Sequence, residues 1–116
     1  MYDTLIQLET VGGVRVATVG SEIDLASAAV VERYLDEAAA DVPRFVVSLA
    51  ECRYIDSSGL CLLARLAKRL RDRFSIVVPP GTQVRRIFDI AHLGEQMRVC
   101  ASLREALSSF PIGAPA

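Results

Sequence analysis

Hydrophobic residues follow two different periods along the chain, one typical of strands and one typical of helices. Thr4 to Glu9 and Val14 to Val19 alternate between apolar and polar side chains, and Gly12-Gly13 joins them, which is a usual signal for a β-hairpin. Further short strands are predicted at 44–49, 74–78 and 97–100. The first two of these runs are rich in apolar and β-branched residues, as expected of strands buried on both faces of a sheet.

Segments with helical spacing lie between the predicted strands. The predicted helices are about 26–40, one from the serines at 57 and 58 to about Arg71, one that Thr82 caps and Leu93-Gly94 closes, and one at about 102–109. In the first helix, the side chains expected to face a sheet are Val30, Val31, Tyr34, Leu35 and Ala38. In the second, the apolar side chains are Leu60, Leu63, Leu66, Ala67 and Leu70.

The order of these elements contains three overlapping strand–helix–strand units, which predicts an α/β fold. Right-handed crossovers place the consecutive strands parallel, so the sheet is expected to be mixed, mostly parallel, with an N-terminal antiparallel hairpin strand and about four helices. A single domain over residues 1–110 is predicted, with a flexible C-terminal tail at 111–116.

Composition and charge narrow the classes of function. With 116 residues, 52% of them apolar and 23% charged, the chain is typical of a folded domain. A net charge of −1 gives no reason to expect nucleic acid as a partner. No signal peptide and no run of about 20 apolar residues is present, which predicts a cytoplasmic protein without a membrane span.

The three cysteines, Cys52, Cys61 and Cys100, form no Cys-x-x-Cys pair, and His92 is the only histidine. Buried or half-buried thiols in a reducing compartment are therefore expected, with no metal site and no cofactor. A redox role for Cys61, one turn into the second helix, is a secondary hypothesis. There is no Gly-x-Ser-x-Gly nucleophile elbow, no partnered histidine and no Walker-type loop, so no catalytic residue is predicted and an enzyme is not expected.

The polar turn Asp56-Ser57-Ser58-Gly59 lies where the period changes from strand to helix. Serine is a favoured N-cap and glycine permits a tight turn, so one of the two serines is expected to cap the helix and leave the other hydroxyl free. Asp24 precedes the first helix, either as its N-cap or as part of a site. Because both loops follow parallel strands, they are expected to open on the same rim of the sheet, where ligands and partners usually bind.

The order of these segments resembles the STAS domain of bacterial anti-sigma factor antagonists. The resemblance lies in Glu22-Ile23-Asp24-Leu25, in Tyr54-Ile55-Asp56-Ser57-Ser58-Gly59-Leu60 and in Val84-Arg85-Arg86-Ile87-Phe88-Asp89, and it covers nearly the whole chain. It differs from the family pattern at Ser21, where glycine is usual, and at Arg71-Asp72-Arg73, where a turn with glycine is common.

The resemblance implies partner switching. In that scheme the unphosphorylated antagonist binds an anti-sigma factor that is also a serine kinase, and thereby releases the sigma factor for transcription. The kinase phosphorylates the residue after the aspartate, which is Ser57 here with Ser58 as the alternative, and a metal-dependent serine phosphatase reverses the modification. The expected partner-binding residues are Asp24, Asp56, Ser57, Ser58, Gly59, Leu60 and Cys61.

Two alternatives remain open at this point. The chain could be a STAS scaffold or an accessory subunit of a signalling or lipid-transport complex, which would bind a partner without a serine switch. Separately, the basic residues of the second helix, among them Arg65, Lys68 and Arg69, could form a solvated face or could dock on an acidic partner surface.

Overall fold

Five strands form one mixed sheet in the computed structural model, which describes residues 6–110. The strands are β1 (Ile6–Val11), β2 (Val14–Val19), β3 (Phe45–Ser48), β4 (Phe74–Val77) and β5 (Val99–Cys100). They lie in the order β1-β2-β3-β4-β5, with β1 antiparallel to β2 and the other neighbours parallel. The predicted mixed, mostly parallel sheet with an antiparallel hairpin strand is confirmed.

The hairpin turn between β1 and β2 depends on its two glycines. Gly12 and Gly13 have φ angles of 57° and 80°, a left-handed backbone that side chains with a Cβ atom rarely adopt. Two consecutive residues with positive φ form the tight hairpin turn whose twist matches that of the flanking strands. The turn therefore fixes the register in which Val11 lies opposite Val14.

In the described part of the chain, four α-helices cover the two faces of the sheet. They are α1 (Ala28–Ala39), α2 (Ser57–Leu70), α3 (Gln83–Ile90) and α4 (Leu103–Leu107). Apolar residues of α1, α2 and α3 form the main core with one face of the sheet, and α4 covers the other face. The alternation along β3 decides this division, because Phe45 and Val47 belong to the main core while Val46 packs towards α4.

Three details of the predicted helices are wrong. Val30 is 47% exposed rather than turned to the sheet. Helix α1 begins at Ala28 with Ser27 in the N-cap position, so Asp24 is not its cap. Helix α3 ends at Ile90, and the left-handed residue that follows it is His92, with φ 56°, instead of the expected glycine stop at Gly94.

The predicted tail at 111–116 and the start of the first predicted strand at Thr4 lie outside the described residues. Between residues 6 and 110, no helix has the length and apolar character needed to cross a bilayer.

Candidate functional site

Asp56 is the N-cap of helix α2, at the turn where the sequence predicted a serine cap. Its Oδ1 atom accepts hydrogen bonds from the backbone N–H groups of Ser58, at 2.9 Å, and Gly59, at 3.3 Å. A carboxylate suits this position because it binds unpaired N–H groups and lies at the positive end of the helix dipole. The serine-cap prediction is therefore wrong, and Ser57 and Ser58 are the first two residues of the helix.

The same carboxylate also binds the neighbouring loop. Its Oδ2 atom accepts a hydrogen bond from the N–H of Leu25 at 3.2 Å, 31 positions away in the sequence. Beside it, the loops form a parallel bridge, in which Ile23 N–H donates to the Tyr54 carbonyl at 3.0 Å and Asp56 N–H donates to the Ile23 carbonyl at 3.1 Å. The prediction that both loops open on the same rim is confirmed.

Gly59 lets helix α2 sit directly on this bridge. A Cβ atom built on Gly59 would clash with the Ile55 side chain and would lie 2.9 Å from a methyl carbon of Ile23. Both isoleucines are fully buried, so neither has space to move aside. Gly59 was expected among the partner-binding residues, but it is buried, and its role in the unbound chain is to set the position of the helix.

Asp24 and Ser27 close the turn that leads into α1. The Asp24 carboxylate accepts a hydrogen bond from Ser27 N–H at 3.1 Å, and Asp24 N–H donates to the Ser27 hydroxyl at 3.1 Å. Ser27 is buried, at 5% exposure, and its N–H and hydroxyl also donate to the Asp24 and Glu22 carbonyls, so its polar groups are fully satisfied in this turn. The Asp24 loop is thus held rigidly beside Asp56.

The two serines of the motif differ in exposure. Ser57 is exposed and Ser58 is half-buried. Within residues 6–110, neither hydroxyl takes part in any of the hydrogen bonds that the structure forms, because Asp56 supplies the cap instead. One free serine hydroxyl was expected, whereas the hydroxyls of both Ser57 and Ser58 are available to a partner.

Both serines line a surface cavity of about 400 Å³, which we call the α1–α2 groove. Its lining residues are Leu25, Ala28, Ala29, Glu32, Ser57, Ser58, Cys61 and Arg65. Leu25 is 81% exposed, which is unusual for a large apolar side chain, and Tyr54 in the other rim loop is 40% exposed. Exposed apolar side chains around a polar site are typical of protein–protein interfaces.

The remaining predicted site residues divide between groove and core. Cys61 is exposed and lines the groove, so the expectation of a buried or half-buried thiol is wrong for this cysteine. Leu60 is half-buried and packs against the main core. Cys52 and Cys100 are buried, and burial raises the pKa of both thiols, so they are unreactive core residues.

The arginines of α2 pair with acidic residues of α1. Arg65 binds Glu32 at 2.7 Å, and Arg69 binds Glu32 at 3.3 Å and Asp36 at 2.6 Å. Hydrogen bonds from Arg65 are the main cause that lowers the pKa of the Glu32 carboxyl below its ordinary value. Both arginine side chains nevertheless remain solvent-exposed, so a solvated face describes them, and docking of this face on an acidic partner surface stays a prediction.

The single histidine lies away from this site. His92 follows α3, and its Nδ1 atom is 3.8 Å from a carboxylate oxygen of Glu95. It does not line the α1–α2 groove. Within the described part of the chain, no group of three or more His, Cys, Asp or Glu side chains is placed to hold a metal ion.

Comparison with known proteins gives consistent matches. Residues 6–106 match the STAS domain. The anti-sigma-F factor antagonist RsfB of Mycobacterium tuberculosis is 33% identical over 98 residues, which cover 83% of this chain and 80% of RsfB.

Two solved structures are also similar. An anti-sigma factor antagonist from Mycobacterium paratuberculosis has a TM-score of 0.81 at 27% identity, covering 90% of this chain and 91% of that one. The anti-sigma factor antagonist SpoIIAA, solved in its unphosphorylated form, has a TM-score of 0.67 at 25% identity and covers 88% of this chain and 92% of its own.

We predict that Gly59→Ala lowers the free energy of unfolding by about 1–3 kcal/mol, as expected when a methyl group is forced into a packed core. The destabilisation is expected because the added methyl group would collide with the Ile23 and Ile55 side chains. The control is Gly94→Ala, where no atom lies within 4 Å of the added methyl. Urea denaturation of both variants checks this, and equal midpoints for Gly59→Ala and the parent would show that α2 does not need so close an approach.

A second prediction concerns the Glu32 ion pairs. Because the folded state lowers the Glu32 pKa, the pairs stabilise the fold at neutral pH, and this contribution disappears as the pH falls through the folded-state pKa. Glu32→Gln should therefore be slightly less stable than the parent at pH 7 and equal to it in strong acid. Glu37→Gln is the control, since Glu37 forms no ion pair within residues 6–110. A stability difference that persists in acid would contradict the ion-pair explanation.

Proposed function

The chain belongs to the STAS domain family, and we propose that it is an anti-sigma factor antagonist that acts by partner switching. In its unphosphorylated form it binds an anti-sigma factor that is also a serine kinase, which releases the sigma factor. Phosphorylation of Ser57 by that kinase ends the binding, and a metal-dependent serine phosphatase restores it. The observation that carries the proposal is the exposed Ser57 hydroxyl, unused by the fold, on the rim of the α1–α2 groove.

The relatives support the first part of this proposal by their names. RsfB is named an antagonist of an anti-sigma-F factor, and the match to it extends over most of both chains. SpoIIAA is named an anti-sigma factor antagonist and is described in an unphosphorylated form, which implies a phosphorylated counterpart. A regulator of this kind is not expected to be an enzyme, and an anti-sigma factor is its expected partner.

Exposure favours Ser57 over Ser58 as the phosphorylated residue. A kinase must surround the accepting hydroxyl, and the Ser57 side chain is exposed whereas that of Ser58 is half-buried. Asp56 is needed for this arrangement, because its carboxylate caps α2 and so keeps either serine hydroxyl from being used as the cap.

Charge explains how a phosphate could end binding without unfolding the domain. Phosphorylation adds about −1.5 to −2 charge units at pH 7, and at the first residue of α2 this charge lies at the favourable end of the helix dipole. Across an interface, the same charge would lie beside the Asp24 and Asp56 carboxylates and would have to lose its water. An interface complementary to a neutral serine is therefore destabilised while the fold is retained.

The proposed contact surface is the groove with its rim. It combines the exposed apolar side chain of Leu25 with the two serines and the Cys61 thiol, around the ordered Asp24 and Asp56 carboxylates. A partner that covers Leu25 would bury apolar surface and would place its kinase site next to Ser57. Binding and modification would thus use the same surface, as a switch requires.

We predict that one phosphate is transferred to the parent protein, and none to Ser57→Ala, when each is incubated with ATP and the anti-sigma kinases of the same genome. Ser58→Ala is the matched control and should be phosphorylated like the parent. Intact-mass spectrometry with peptide mapping measures this. A phosphate that persists in Ser57→Ala and is lost in Ser58→Ala would show that Ser58, and not Ser57, is the phosphorylated residue.

We also predict that phosphorylation weakens binding to the same anti-sigma factor about 100-fold, which corresponds to about 3 kcal/mol, without changing the far-ultraviolet circular dichroism spectrum. Calorimetric titration of both forms measures the affinity, and Ser57→Ala should bind like the unphosphorylated parent. Tight binding to a partner with no phosphorylation by any kinase would favour the scaffold or accessory-subunit function instead. Equal affinity of the two forms would contradict switching.

A further inference from the structure

Within residues 6–110, strand β1 forms one edge of the sheet and is hydrogen-bonded only to β2. It is six residues long, whereas the strand at the other edge, β5, has two. An edge strand presents unpaired N–H and C=O groups that can pair with another chain. Proteins usually protect such edges with charged side chains, proline, a bulge or a short length, and among these β1 has only the single charge of Glu9.

The hairpin register determines which backbone groups of β1 are free. The pair next to a two-residue turn, Val11 and Val14, exchanges both of its hydrogen bonds, and bonding alternates along an antiparallel pair. Arg15 N–H donates to the Arg44 carbonyl near β3, which confirms that the neighbouring residue Val14 points towards β1. The backbone groups of Ile6, Leu8 and Thr10 therefore point away from β2, to the open edge.

We propose that β1 pairs antiparallel with β1 of a second copy of this chain, with Leu8 opposite Leu8, to form a two-fold symmetric ten-stranded sheet. In this register Ile6 lies opposite Thr10 and Gln7 opposite Glu9. All three outward-pointing residues then face outward-pointing residues of the other copy. Because each such pair exchanges two hydrogen bonds, six backbone hydrogen bonds form.

The side chains of the edge favour the same register. Glu9 is the only charged residue of β1, and the proposed register places it opposite Gln7, whose amide can donate to the carboxylate. Shifting the pairing by one residue in each copy towards the turn would place the two Glu9 carboxylates opposite one another, which is unfavourable. Shifting the pairing by one residue in each copy away from the turn would pair Ile6 with Leu8, and Thr10 would then have no partner among the described residues.

Leu8 supplies apolar contact at the two-fold axis. It is 40% exposed and lies beside a shallow cavity of about 270 Å³ that Arg15, Tyr34, Glu37 and Ala38 also line. A second Leu8, about 5.5 Å away between Cα atoms in a hydrogen-bonded pair, would cover the exposed part of the first. The proposed interface thus adjoins the middle and C-terminal part of α1.

The proposed interface is separate from the α1–α2 groove. The groove is lined by residues between Ala28 and Glu32 of α1 and between Ser57 and Arg65 of α2, whereas the β1 edge adjoins Tyr34 and Glu37, further along α1. Self-association should therefore be the same for Ser57→Ala and for the parent. Absence of phosphorylation at Ser57 would not contradict the proposed dimer, and absence of the dimer would not contradict phosphorylation at Ser57.

Sedimentation velocity over a range of protein concentrations tests the proposal. The parent should approach the sedimentation coefficient of a dimer as concentration rises, and Leu8→Lys, which places two lysines opposite each other, should remain a monomer. Position 7 tests the charge pairing, because in the proposed register its side chain faces Glu9 of the other copy. Gln7→Glu should weaken the dimer about tenfold, and Gln7→Lys should strengthen it by a similar factor. A parent that remains monomeric at all concentrations would overturn the proposal.

Disulfide trapping tests the register, in a Cys61→Ser background that removes the exposed native thiol. Leu8→Cys should form a cross-linked dimer on mild oxidation, because a Cα separation near 5.5 Å lies within the range of disulfides. Thr10→Cys is the control, since the two Thr10 positions would lie about 13 Å apart along the strands. Equal cross-linking of the two variants, or faster cross-linking of Thr10→Cys, would contradict the register, and circular dichroism checks that both variants are folded.

Discussion

One carboxylate, that of Asp56, joins the two loops on which the site depends. One of its oxygens caps helix α2 and the other accepts a hydrogen bond from Leu25 in the loop before α1. These two loops are distant in sequence, and the only other backbone hydrogen bonds between them are those of the short Ile23–Ile55 bridge. The hydrogen bonds from Ser58 and Gly59 to this carboxylate are partly buried, where unpaired polar groups are costly, and the more exposed hydrogen bond from Leu25 N–H links the cap to the other loop.

The same arrangement explains why the serines are available. A serine that capped α2 would use its hydroxyl to bind backbone N–H groups of the helix. Asp56 has that function instead, so Ser57 and Ser58 are ordinary first-turn residues. Gly59 then brings the turn close to Ile23 and Ile55, so the serines stand on a rigid base beside the groove. Such rigidity suits a switch that works by adding charge to a surface instead of refolding it.

Much of the fold could be predicted from the sequence, because its signals are local or periodic. The Gly12-Gly13 hairpin, the apolar run of β3 and the Thr82 and Ser102 caps all have the structure that their residue types favour. The boundaries were predicted less accurately, since α1 begins after the turn that Asp24 and Ser27 form and α3 ends at Ile90, before the left-handed His92. Before α1, hydrogen bonds between the Asp24 and Ser27 side chains and backbone override the general preferences of the residues, whereas α3 ends in backbone hydrogen bonds such as that from His92 N–H to the Asp89 carbonyl.

The site could be predicted only in part. The polar motif, its position at one edge of the sheet and the family resemblance could be predicted from the sequence. The choice of Asp56 over serine as the cap depends on three-dimensional geometry. The ion pairs between α1 and α2 were missed as well, although Glu32 and Asp36, like Arg65 and Arg69, stand four residues apart. That spacing places each pair on one side of its helix, and only the packing of the helices shows that the two sides meet.

Amide hydrogen exchange in Asp56→Ala, measured by NMR against the parent, tests the central role of this carboxylate most directly. Exchange should accelerate at Ser58 and Gly59, which lose the cap, and also at Leu25 in the other loop. The Ser27 amide, which the Asp24 carboxylate binds, should keep its exchange rate and serves as the internal control. Faster exchange at Ser58 and Gly59 with an unchanged Leu25 would show that Asp56 caps the helix but does not join the two loops.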